Sequence, residues 1–144
     1  MNHTRIRILL ADDHQEMLEA VARLLEDEFD VIAAVTNGER VIEAALRLAP
    51  DLLVLDISMP VLNGIEAAAC LKESGSRAKV IFLTVNTDPD IVEMALSIGA
   101  LGYVLKPHFA ADLIPAIRRV LQDRVFVSPA MPIDKNRLQQ SVVI

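Results

Sequence analysis

The chain has 144 residues, enough for one domain with a continuous core and no disulfide or structural metal to staple it. Hydrophobic residues make up 53% and charged residues 24%, a balance that excludes disordered and fibrous classes. A net charge of −6 excludes unaided binding to a nucleic-acid backbone, which requires clustered Lys and Arg.

Charges such as Asp56 and Glu66 interrupt the long apolar stretches, so no run reaches the roughly 18–20 uncharged residues of a membrane span. The apolar run Ile8 to Ala11 is too short for the core of a secretory signal. The cytoplasm is therefore the expected location. A single cysteine, Cys70, can form neither an internal disulfide nor a thiolate zinc site, and it is expected to pack on a helix.

Short runs rich in β-branched residues and leucine alternate with longer segments of helical period, which predicts an α/β fold, a doubly wound parallel sheet with helices on both faces. Five strands are expected, at Arg5–Ala11, Asp30–Val35, Leu52–Asp56, Lys79–Thr84 and Gly102–Leu105, each apolar enough to be buried on both sides. Between the first two, Met17, Leu18, Val21, Leu24 and Leu25 form a helical stripe. A second helix follows Asn37 and Gly38 and carries Val41, Ile42, Ala45 and Leu46. A third starts just after the turn dipeptide Asn63-Gly64.

Asp88 followed by Pro89 reads as an N-cap with proline in the first turn, opening a fourth helix that buries Ile91, Val92, Ala95 and Leu96 and closes at Gly99. A fifth helix spans Ala110 to Gln122, and Pro115 inside it predicts a bend or a later start. After Arg124 the pattern breaks at Val125-Phe126-Val127-Ser128-Pro129. Residues 1–125 are read as the domain, and 126–144 as a linker or C-terminal tail without an output domain.

In a doubly wound sheet, ligand groups gather beyond the carboxyl ends of the strands. Asp12 and Asp13 follow the first strand, Asp56 ends the third, Thr84 ends the fourth, and Lys106 with Pro107 follows the fifth. Carboxylates so close together call for a cation, and hard oxygen donors suit Mg²⁺ or Mn²⁺. Lys106 supplies a compact positive charge for a carboxylate and an incoming phosphoryl oxygen, and Thr84 a hydroxyl for another. Positioned charge of this kind is the main requirement of phosphoryl transfer. Asp56, alone at the tip of the central strand, is the candidate nucleophile. His14 stands beside the acidic pair and is read as a bystander.

The motifs Leu10-Ala11-Asp12-Asp13-His14, Asp51 through Pro60, Asn63-Gly64, Leu83-Thr84 and Gly102-Tyr103-Val104-Leu105-Lys106-Pro107 together resemble those of response-regulator receiver domains of bacterial two-component systems. The resemblance covers residues 5 to 124. Its Asp-Asp-His opening and Val-Phe-Val-Ser-Pro exit look most like the NarL/FixJ class, whose members usually carry a DNA-binding output domain of LuxR type.

The resemblance implies a flavodoxin-like strand order of 2-1-3-4-5 and a phosphoacceptor at Asp56, modified by a sensor histidine kinase. Asp13 and Asp56 would bind Mg²⁺ directly, with the Ser58 backbone carbonyl as a further ligand and Asp12 acting through water. Thr84 and Tyr103 would form the switch, the aromatic ring turning inward on modification. Lys106 would pair with the phosphate, and its bond to Pro107 would be cis.

The output face would be the fourth helix, fifth strand and fifth helix, with phosphorylation-dependent homodimers as one outcome. DNA would be reached only through an output domain absent from this chain, and no membrane is involved. Val85 stands where the family often has a smaller residue and is expected to narrow access. Ser58 and Asn86 occupy positions that tune phosphoryl lifetime.

Two other readings compete with this non-enzymatic switch. A haloacid-dehalogenase-like phosphatase would use the same Asp, Mg²⁺, Thr and Lys, but it needs a second Asp two residues after the nucleophile, where Ser58 stands. An interaction module that keeps the fold without being phosphorylated is the other. Intact Asp13, Asp56, Thr84 and Lys106 argue against it.

Overall fold

The structure is a computed structural model that describes residues 5–132. Strands β1 (Arg7–Ala11), β2 (Asp30–Val35), β3 (Leu52–Leu55), β4 (Lys79–Thr84), β5 (Gly102–Leu105) and β6 (Phe126–Val127) form one sheet in the order β2-β1-β3-β4-β5-β6. Every neighbouring pair is parallel. Helices α1 (Gln15–Leu25), α2 (Gly38–Leu48), α3 (Gly64–Glu73), α4 (Pro89–Ser97) and α5 (Phe109–Leu121) lie between and around them.

Successive residues of a strand face opposite sides of the sheet, and β1 shows the result. Ile8 and Leu10 join the apolar cluster beneath α1 and α5, while Leu9 and Ala11 join the cluster beneath α2, α3 and α4. Each of β3 and β5 is buried along its whole length. β2, at the edge, is partly open. Because the chain runs from β1 outward to β2 and then returns to β3 on the other flank of β1, a crevice opens beyond the carboxyl ends of β1 and β3.

Helix starts are fixed by side chains that satisfy otherwise orphaned N–H groups. Asn37 accepts from the Arg40 N–H at 2.9 Å and starts α2. Asn63 accepts from the Glu66 N–H at 2.8 Å while the Glu66 carboxylate accepts from the Asn63 N–H at 3.2 Å, a reciprocal box that starts α3. Asp88 accepts from the Asp90 N–H at 2.9 Å, with Pro89 in the first turn of α4. Gly99, at φ +101°, supplies the left-handed backbone that turns the chain out of α4.

Four expectations are corrected. The sheet has six strands rather than five, because Phe126–Val127 pairs with β5 at Gly102 and Tyr103 where a linker or tail was expected; residues 133–144 of that stretch lie outside the described residues. Helix α5 starts at Phe109, not late, and runs through Pro115. Pro115 and Ala111 are both exposed, so water can satisfy the carbonyl that the proline leaves without its helical partner.

No peptide bond among the described residues is cis, so the Lys106–Pro107 bond is trans. Pro107 sits in a single 3₁₀ turn, Lys106–His108, that leads directly into α5, and the proline φ suits a first helical turn as it stands. Cys70 is exposed. The buried residues of α3 are Gly64, Ala67, Ala68 and Leu71, and position 70 falls off that stripe.

Gly64 begins α3 so close to the preceding strand that a methyl group there would run into the Asp56 backbone carbonyl. Gly64→Ala is expected to cost about 1–3 kcal/mol, the usual penalty of overpacking, read as a lower urea midpoint with unchanged slope.

Candidate functional site

Asp12, Asp56 and Lys106 meet at the crevice. Asp56 is carried there by β3, its N–H donating to the Ala11 carbonyl at 2.9 Å, and Asp12 by β1, its N–H donating to the Val35 carbonyl at 3.1 Å. Lys106 follows β5 and reaches across β4, placing Nζ 2.7 Å from Asp12 Oδ2 and 3.0 Å from Asp56 Oδ2. Both aspartates are only 3% exposed, so the ammonium is what makes two neighbouring buried carboxylates tolerable.

Asp13 is exposed, and His14 Nδ1 lies between Asp13 Oδ1 at 3.0 Å and Asp12 Oδ1 at 3.1 Å. One ligand atom from each of Asp12, Asp13, His14 and Asp56 lies within 4.8 Å of all the others. Two oxygens on one Mg²⁺ stand at most about 4.2 Å apart, given its ~2.1 Å bonds. The observed limit is slightly wider than that, so the carboxylates would close by a few tenths of an ångström on one hard cation or hold it in part through water. His14 stands within this cluster, beside the acidic pair.

Burial pushes the Asp56 carboxyl above its ordinary value, and the negative charge of Asp12 adds to that; the Lys106 hydrogen bond and charge and the Ser58 N–H, 3.3 Å from Asp56 Oδ1, oppose it without winning. Burial would lower the Lys106 ammonium, but its hydrogen bonds to Asp12 and Asp56 and their charges more than offset that and raise it. The Tyr103 phenol is held well above its ordinary value, first by burial and then by the charges of Asp88 and Asp56.

Thr84 is 1% exposed at the end of β4. Its hydroxyl accepts from the Asn86 N–H at 3.2 Å. Tyr103 is fully buried and donates its hydroxyl to the Asn86 carbonyl at 2.9 Å. The ring is thus already inward, where the resemblance implied that modification would turn it in. Ser58 is exposed beside Asp56. Val85 is 66% exposed and holds its methyl groups in solvent.

Residues 8–118 match the response regulator receiver domain family. The chain belongs to that family. The receiver domain is 37% identical over 131 residues to the transcriptional regulatory protein DegU of Brevibacillus brevis, covering 90% of this chain and 56% of that regulator. It thus spans little more than half the length of that relative.

A two-component response regulator of the LuxR family from Aurantimonas sp. SI85-9A1 superposes with a TM-score of 0.85 at 27% identity, covering 98% of this chain and all of that one. A structure of two RcsB dimers bound to two parallel DNAs matches at a TM-score of 0.81 and 25% identity, over 89% of this chain and 66% of that one. The fold is the flavodoxin-like receiver fold, extended by β6.

Sequence reasoning missed Ser128 and Asp112, which hydrogen-bond to each other at 2.8 Å beside β5. The apolar, β-rich run Val125-Phe126-Val127 is the signal of a short strand that could have led to them.

Because the folded Asp56 holds its proton to higher pH than an ordinary carboxyl with a value of 3.8, the native state binds more protons than the unfolded one in that window, and stability falls as pH rises through it. Asp56→Asn removes this loss. The variant is expected to show a higher denaturation midpoint than wild type at pH ~7 in the presence of a chelator, a gap that narrows as pH falls toward the ordinary carboxyl range.

Proposed function

We propose that the chain is a phosphoacceptor switch that receives a phosphoryl group on Asp56 from a sensor histidine kinase, with Mg²⁺ or Mn²⁺, and has no enzymatic turnover beyond its own phosphorylation and dephosphorylation. The observation that most supports this reading is Lys106 Nζ held between Asp12 and Asp56, in reach of both buried carboxylates. In the transfer, an Asp56 oxygen attacks phosphorus and the phosphorus–nitrogen bond to the donor imidazole breaks. The electron pair leaves with that nitrogen, and a mixed anhydride forms on Asp56.

Negative charge spread over the transferred group is the quantity to be stabilised. Lys106, already beside the acceptor, can exchange a carboxylate oxygen for a phosphoryl oxygen over a short distance. The Thr84 hydroxyl can leave the Asn86 N–H and donate to another oxygen. Asp13 and Asp56 would hold the metal directly, with the Ser58 carbonyl, and Asp12 through water; bound there, the ion would neutralise charge on both the carboxylates and the phosphoryl group. A cation held there would keep Asp56 ionised despite its burial, as a nucleophile must be.

Tyr103 then reports the change. Its hydroxyl grips the carbonyl of Asn86, the residue whose N–H binds Thr84, so movement of the threonine reaches the ring through one residue. The state is relayed through α4, β5 and α5. The receiver extends through β6 to Met131, and DNA would be contacted through an output domain of LuxR type. The cytoplasm is the compartment that this partnership requires.

Incubation with a small phosphodonor and Mg²⁺ is expected to add the mass of one phosphoryl group at Asp56. Asp56→Asn or excess chelator should abolish it, and Lys106→Ala should slow it by about 100-fold, as for loss of a positioned charge. An unmodified Asp56 under these conditions would leave only an interaction module. Addition of beryllofluoride with Mg²⁺ is expected to raise the sedimentation coefficient toward that of a dimer; monomeric behaviour with and without it would exclude dimerisation.

A further inference from the structure

The stretch after α5 is fastened to the strand that carries the switch. The Phe126 N–H donates to the Leu101 carbonyl at 2.9 Å, and the Ser128 N–H to the Tyr103 carbonyl at 2.9 Å. Ser128 is 2% exposed, and its hydroxyl accepts from the Leu105 N–H at 3.0 Å while donating to Asp112 Oδ2 at 2.8 Å. One side chain thereby joins β5, α5 and the segment beyond them. Leu105 immediately precedes Lys106, which holds the acceptor carboxylates.

Beyond this clip the chain turns back, the Met131 N–H donating to the Ser128 carbonyl at 2.9 Å. Met131 is 5% exposed and lies in the same apolar cluster as Tyr103, Val92, Ala95 and Leu96, with Val125 and Val127 packed against it. The segment thus belongs to the apolar environment of the switch tyrosine and of the helix beside it.

A buried hydroxyl that keeps only one of two partners is costly. Ser128 is therefore expected either to make both bonds or to leave its place with the segment. We propose that residues 126–131 form a strap that closes over β5 and Tyr103, and that closure of the strap and modification of Asp56 favour each other. This rests on the reading of Asp56 as phosphoacceptor.

The sign comes from the structure, in which the inward ring and the docked strap occur together. A group at Asp56 that holds the ring inward favours the conformation the strap packs on, and by linkage a docked strap favours that group in return. Residues 133–144 follow the strap in sequence, so its docking hands the state of Asp56 to the segment that follows.

The test is amide hydrogen exchange of the whole chain with Mg²⁺, before and after beryllofluoride, read at 126–131 and separately at 56–62. Wild type is expected to gain protection in both. Ser128→Ala, and independently Asp112→Ala, should speed exchange at 126–131 and weaken beryllofluoride binding by at least about fivefold, the lower edge of ordinary coupling.

Protection at 56–62 with unchanged or faster exchange at 126–131 would overturn the strap and leave the Asp56 reading intact. No protection at 56–62 would overturn both. Looser straps with unaltered beryllofluoride affinity in both variants would overturn the coupling.

Discussion

The receiver depends on one ammonium group placed between two buried carboxylates. Without Lys106, Asp12 and Asp56 would face each other at 3% exposure each, and the protein would have to protonate one or take the cost of an uncompensated charge. With it, the crevice is folded, charged and ready to exchange one set of oxygens for another. That arrangement needs side chains from the ends of β1, β3 and β5 in one place, so much of the sheet serves to bring two aspartates and one lysine together.

The surrounding structure is rigid where the site requires it. β3 is buried on both faces, and the Gly64 backbone comes close enough to the Asp56 carbonyl to exclude even a methyl group. The reciprocal cap at Asn63 and Glu66 fixes where α3 begins, and so fixes the loop that runs from Asp56. On the other flank the connection from β4 to α4 is held by hydrogen bonds from Asn86 to Thr84 and from Tyr103 to Asn86. These bonds can be re-made, as the proposed switch would require.

β6 alters the face formed by α4, β5 and α5. β5 is not an edge strand among the described residues, since Phe126–Val127 covers it, and the apolar cluster around Tyr103 extends through Met131. A partner approaching this face meets the chain's own continuation as well as α4 and α5. The family match ends at residue 118, yet the packed structure continues past it.

Most of the fold was legible in the residues. Five strands were placed within two residues of their observed bounds: β1, β3, β4 and β5 are apolar because they are buried along most or all of their length, β2 keeps an apolar run although it lies partly open at the edge rather than buried on both sides, and the caps at Asn37, Asn63 and Asp88 announce their helices through local hydrogen bonding. The acidic pair, the lone Asp56, Thr84 and Lys106 were visible because each stands at a strand end, and the order of elements tells which ends share an edge of the sheet.

What the sequence could not decide depends on contacts between residues far apart in the chain. Whether Phe126–Val127 is a strand depends on β5 having a free edge to pair with, and a run of two paired residues carries too little pattern of its own. Whether Pro107 is cis depends on how directly α5 follows, whether Cys70 is buried depends on the register of α3 against the sheet, and whether Tyr103 is inward depends on the Asn86 carbonyl and the apolar cluster that receive it. Sequence spacing sets which residues share a face, but only the packed sheet determines what stands opposite that face.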